Sequence, residues 1–155
     1  MSLRDSLNDD AVSALGMLDP VALGADESVG TAVARMREAS CGCAVVTEHR
    51  KPIGMFTERD VLMKVLGKGL SQGTPIADVM TANPQTIEEG CSVAGLISRM
   101  HEGGFRHMPV VDAAGRLKGV ISVKRIVEYI VDYFPGTVFN LPPRPVQRQT
   151  AREGA

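Results

Sequence analysis

The chain states nearly the same thing twice. Residues 19–38 read DPVALGADESVGTAVARMRE, and residues 83–102 read NPQTIEEGCSVAGLISRMHE. At an offset of 64, Pro20, Ser28 and Val29 match Pro84, Ser92 and Val93. Arg35, Met36 and Glu38 match Arg99, Met100 and Glu102 in the same frame. One residue further out of step, Val45 and Val46 match Val110 and Val111, and Gly54 matches Gly119. A repeat of this length occupies most of a 155-residue chain, so the fold has to be built from two copies of one unit. Two such copies are expected to pack on each other and to leave ligand-binding clefts between them.

Each copy reads β-α-β-β-α. In the first, Val21–Leu23 is a short strand after a proline, and Asp26 or Ser28 can cap the helix that follows. Val29, Ala32, Val33 and Met36 recur at helical spacing on one apolar face. Gly42 breaks that helix, and Ala44–Val46 and Ile53–Phe56 read as a hairpin with EHRKP at its turn. A second helix runs from about Thr57 to Leu66. The second copy repeats the order: strand Gln85–Ile87, helix face Val93, Leu96, Ile97 and Met100, hairpin Pro109–Val111 and Gly119–Ile121. Its last helix spans Val123–Phe134, with Ile126, Val127, Ile130 and Phe134 on one stripe. The boundaries expected are an N-terminal extension over 1–11, one repeat over 12–70, a second over 75–134, and a Pro-rich disordered tail over 135–155.

Composition removes several function classes. The formal net charge of -1 gives no electrostatic case for nucleic acid or an anionic membrane. No apolar run approaches the length of a membrane-spanning helix. The opening MSLRDSLNDD is acidic where a secretory signal is apolar, which points to the cytoplasm. No nucleophile–base pair or phosphate-gripping glycine loop is visible, so an enzyme is not expected. Cys41 and Cys43 are spaced C-x-C rather than the C-x₂₋₄-C of zinc sites. They read most simply as structural cysteines, with a thiol or metal sensor as the alternative.

The segments DESVGTAVARM and GCSVAGLISRM, followed by GCAVVTEHRKPIGMFTERDV and RHMPVVDAAGRLKGVISVKRI, resemble a tandem pair of CBS domains (the cystathionine-β-synthase domain pair, or Bateman module) over roughly residues 12–134. The resemblance implies an α+β fold of two β-α-β-β-α repeats with pseudo-two-fold symmetry. It implies an adenosine-containing ligand, AMP, ADP or ATP, held between the repeats, with no cofactor required. It also implies a homodimer and an effector protein that receives the signal.

The site residues follow from that resemblance and from residue chemistry. In the family a Ser/Thr-x-x-Asp at the turn from strand to helix grips ribose, and here Thr57 and Asp60 stand at that place. A carboxylate can accept hydrogen bonds from both hydroxyls of a cis-diol. The same two residues can equally serve as a helix cap. Arg106 and His107 stand where the family often binds phosphate, and arginine's rigid fork matches phosphate oxygens. Without the family they read as a basic pair at a strand start. Val21, Ala22, Leu23, Cys43, Ala44 and Phe56 would supply an apolar slot for adenine by family analogy, although core packing explains them as well. In the second repeat Thr57-x-x-Asp60 becomes Ser122-Val123-Lys124-Arg125. Ser122 remains a contact candidate, but an arginine replaces the aspartate, and one competent site per chain is expected. A dimerisation module with a vestigial cleft is the further alternative.

Overall fold

The computed structural model describes residues 2–132. The expected tail over 135–155, and Phe134 with it, lie outside the described residues. Within the expected extension, residues 2–11 carry more structure than an extension implies. Leu3–Asp9 forms helix α1, closed by a capping box in which the Ser2 hydroxyl accepts from the Asp5 N–H and the Asp5 carboxylate accepts from the Ser2 N–H. Leu7 packs on the core of the second repeat.

The first repeat is built from β1 (Ala22–Leu23), α2 (Val29–Ala39), β2 (Cys43–Glu48), β3 (Lys51–Thr57) and α3 (Glu58–Asp60). The second contains β5 (Ile87–Glu88), α4 (Val93–Gly103), β6 (His107–Val111), β7 (Leu117–Ser122) and α5 (Val123–Val131). Between them lies β4 (Thr81–Ala82), in a stretch that carries no strand pattern in the sequence. Within each repeat the first strand pairs parallel to the second, and the second antiparallel to the third. This is the expected α+β arrangement of two β-α-β-β-α units.

Local chemistry accounts for the helix ends. Ser28 and Ser92, identical at offset 64, cap α2 and α4 by accepting from the N–H of Thr31 and Gly95. Such a cap contributes about 1 kcal/mol. The helix α2 stops at Ser40, which takes the left-handed conformation at φ 51°, so Ser40 rather than Gly42 ends it. The hairpin turn is tighter than EHRKP suggests. His49 and Arg50 both sit at positive φ, as the right-handed twist of a two-residue hairpin requires. Arg35 and Arg99 each send a guanidinium N–H to a backbone carbonyl, Ala22 in β1 and Thr86 just before β5, and the two acceptors stand at offset 64 from each other. The second helix of the first repeat departs from its expected form: after the single α-turn of α3, Val61–Leu66 winds as a wider π-helical segment.

The two repeats exchange their opening segments. Val12 and Leu15 open the first repeat, yet they are buried in the second core with Ile87, Leu96 and Met108. Their counterparts Ile76 and Val79 open the second repeat and are buried in the first core with Leu23, Val45 and Phe56. The main chain follows the same rule. Val12 N–H donates to Cys91 O at 2.7 Å, and Ile76 N–H donates to Glu27 O at 2.7 Å. The strand β4 adds to β3, and Leu18 pairs with Val120 in β7 at the matching place. Gly54 and Gly119 face these guest segments. A Cβ on Gly54 would come within 2.3 Å of Met80 Sδ, and one on Gly119 within 2.9 Å of Met17 Cβ. Close approach of a second chain segment explains why both repeats carry glycine there. These paired exchanges are the pseudo-two-fold symmetry.

Candidate functional site

A cleft of about 720 Å³ opens between the repeats. Its first wall is the start of α3, with Thr57, Glu58, Arg59 and Asp60. Its second wall comes from the other repeat: Thr81, Pro84 and Gln85 before β5, and the stretch 104–107 ahead of and into β6. Thr57, Asp60, Arg106 and His107 all line this one cavity.

The Asp60 carboxylate is already well engaged. Its Oδ2 accepts from the Thr57 backbone N–H at 2.9 Å and from the Thr57 hydroxyl at 3.2 Å. The Thr57 hydroxyl in turn accepts from the Asp60 N–H, which completes a capping box. Its Oδ1 pairs with Lys64 Nζ at 3.2 Å. Lys64 also donates to Val79 O at 3.0 Å, so it ties this helix to the opening segment of the second repeat. A carboxylate has about four acceptor sites. These three contacts leave room for roughly one more donor before Lys64 has to move. Capping and ligand contact are thus both compatible with the same side chain.

On the opposite wall Arg106 is exposed and His107 is half-buried at the start of β6. Burial holds His107 below its ordinary value; Glu58 works against that shift, and Arg106 adds to it. The shift favours the neutral imidazole, whose ring N–H can donate one hydrogen bond to an anion.

The remaining sequence candidates lie elsewhere. Val21, Leu23, Cys43, Ala44 and Phe56 are buried in the first core, away from the cleft lining. Ala22 is half-buried on β1, where its carbonyl accepts from Arg35. Ser122 caps α5 by accepting from the Arg125 N–H at 3.3 Å. The apolar lining is instead Met55, Leu62 and Phe105. Phe105 is not among the sequence candidates; its place next to Arg106 is the one signal that points to it. Thr81 carried no signal, because it reaches the cleft only through the segment exchange. Cys41 donates its S–H to Cys43 O at 3.4 Å, and burial pushes the Cys43 thiol up. A protonated, buried thiol is a poor metal ligand. Among the described residues no group of three or more His, Cys, Asp or Glu could hold a metal ion, and no helix is long and apolar enough to cross a membrane.

Fold and cleft together define a module of paired repeats with an open cleft between them. The comparisons identify it further. The CBS domain family model matches residues 12–67 and 76–132, and the chain belongs to that family. It is 35% identical over 106 residues to an uncharacterized protein of Methanopyrus kandleri, covering 67% of this chain and 54% of that one. It is 34% identical over 110 residues to the CBS domain-containing protein CBSCBSPB5 of Arabidopsis thaliana, covering 70% of this chain and 20% of that one. The match therefore spans between a fifth and about half of these curated relatives. Among solved structures, the CBS-domain containing protein ATU1752 from Agrobacterium tumefaciens is 33% identical with a TM-score of 0.67, covering 77% of this chain and 98% of that one. The CBS domain protein PAE2072 from Pyrobaculum aerophilum, solved in complex with AMP, superposes with a TM-score of 0.71 at 23% identity, covering 79% and 99%. The chain is a tandem CBS module of the regulatory kind.

Proposed function

We propose that this protein is a regulatory module that binds an adenosine-containing ligand in the cleft between its repeats and signals occupancy to an effector protein. One observation carries the reading: a ribose-type acceptor, Asp60, and a phosphate-type donor pair, Arg106 and His107, line a single cavity from opposite repeats. A ligand with both groups would bridge the repeats. It could then favour one relative arrangement over another, and its leverage would be its difference in affinity for the two, about 1–3 kcal/mol in allosteric systems. The AMP-bound structure of the Pyrobaculum protein supports the class of ligand. No catalytic step is assigned to the cleft.

The module is further proposed to pair as a homodimer. Val61, Val65, Ile126 and Ile130 pack against the two cores. On these two helices the large apolar side chains that are exposed among the described residues are Leu62, Met63 and Leu66 on one and Val123 and Val127 on the other. Leu62 and Val127 stand at offset 65, so the two repeats expose matching positions. An exposed apolar surface of this kind usually marks an interface. Native mass spectrometry with adenosine, AMP, ADP and ATP tests both statements together. The expected result is a dimer with one bound ligand per chain. A monomer without bound ligand in every sample would overturn both.

A further inference from the structure

The wall of the cleft that belongs to the first repeat carries a negative group that the second repeat lacks. Glu58 N–H donates to Gly42 O at 3.0 Å, and Val123 N–H donates to Arg106 O at 3.0 Å. These are the same bond in the two repeats, so Gly42 and Arg106 are equivalent, as are Glu58 and Val123. Where the second repeat has a guanidinium next to an apolar residue, the first has a glycine next to a carboxylate. The Glu58 carboxyl group lies over Gly42: a Cβ on that glycine would sit 3.3 Å from both Cδ and Oε1. Glu58 also faces the second-repeat wall closely enough to act on the charge of His107. The ionised groups lining the cleft are then two carboxylates, Glu58 and Asp60, and two guanidinium groups, Arg59 and Arg106. Asp60 is already countered by Lys64. Among the described residues no ion pair counters Glu58, and its side chain is exposed.

We infer that Glu58 sets which phosphorylated ligand the cleft accepts, by opposing the growth of negative charge beyond the single phosphate group that Arg106 and His107 can meet. The inference rests on the nucleotide reading above and narrows it to ligands with one phosphate. The physics is Coulombic. A carboxylate several ångströms from each added phosphate costs a fraction of a kcal/mol per charge in a water-filled cleft. That cost grows with the phosphate count and weakens with salt. The glycine at 42 lets the carboxyl group come this close, since a Cβ there would make it give way by a few tenths of an ångström.

The test is calorimetric titration of the full chain and of Glu58→Gln with adenosine, AMP, ADP and ATP, at low salt and without divalent cations. Gln keeps the shape and the backbone bond to Gly42, and melting curves without ligand check that the fold is kept. Expected is a gain in affinity that rises with ligand charge: least for adenosine, about threefold for AMP, and about tenfold or more for ATP. The gain should shrink at high salt. An equal gain for all four ligands, or no gain for any, would overturn the inference and leave the nucleotide reading standing. Binding of none of the four by either protein would overturn both.

Discussion

The first repeat begins its second helix with Thr57 and Asp60, and the second begins its own with Ser122 and Arg125. In both, the hydroxyl accepts from the N–H three residues on, at 3.3 Å. Only in the first does a side chain return the contact to the backbone of the cap. In the second, Arg125 turns away to Glu128, with Nη1 to Oε2 at 2.8 Å, and its guanidinium lies against Gly16. The hydroxyl is what the helix end needs, and both copies have it. The carboxylate is what the proposed ligand would need, and only the first copy has it. The loops before β2 and β6 diverge in the same way, with Gly42 in one and Arg106 in the other. Backbone bonds between loop and helix are the same in both repeats, while the residues at matching positions differ in charge: Gly42, Glu58 and Asp60 in the first, Arg106, Val123 and Arg125 in the second. The fold constrains the symmetric part, and the asymmetric part is where a function can be read.

That contrast can be broken at several points. The largest effect is expected in the exchanged cores. Leu15→Ala and Ile76→Ala should each cost about 2–5 kcal/mol in chemical denaturation, as large-to-small core changes do. Hydrogen exchange should then show Leu15→Ala loosening β6 and β7, and Ile76→Ala loosening β2 and β3. If each change loosened the repeat that follows it in sequence, the exchange would carry no energetic weight.

Next in size is ligand affinity. Asp60→Ala should weaken adenosine and AMP alike by about tenfold or more, because hydrogen bonds to charged groups contribute roughly 1.5–3 kcal/mol. Arg125→Ala should change either by much less. Arg106→Ala should weaken AMP more than adenosine, which has no phosphate. An Arg125 variant as damaged as the Asp60 variant would mean that the second helix start also contacts ligand.

The smallest effect concerns acid. His107 is held below its ordinary value of 6.5. The unfolded chain then binds the proton more readily than the folded one. Stability should be intact above about pH 6.5 and fall as the pH drops through the lower folded value. His107→Gln should flatten that limb of a denaturation-versus-pH curve. No difference between the two proteins would place His107 outside the linkage.

Much of this was legible in the sequence, and the reason differs between elements. The helix faces through Val29, Ala32 and Met36, and through Val93, Leu96 and Met100, follow from spacing alone, because burial on a helix is periodic. Strand positions followed from the hairpins. The segment exchange was not legible, since contacts such as Leu15 with the second core join residues with no local pattern. The short strand β4 has two exposed residues and no alternation to betray it. At the site, Thr57, Asp60, Arg106 and His107 were nameable from the repeat and the family. Val21, Leu23, Cys43, Ala44 and Phe56 were equally apolar by sequence, but the backbone turns them into the core. The cleft takes its apolar surface from Met55, Leu62 and Phe105 instead.

The traded opening segments mean that neither half of this chain owns a complete interior. A cut in the stretch 67–73 would leave one piece holding the plug for the other piece's core and lacking its own. Mixed together, the two pieces should reassemble, because each supplies the plug the other lacks. The glycine-bearing connector sets how readily this happens within one molecule, since it fixes the local concentration of each plug near its socket. Shortening it would leave every contact available but satisfy it between two chains, converting the same set of interactions into a swapped dimer.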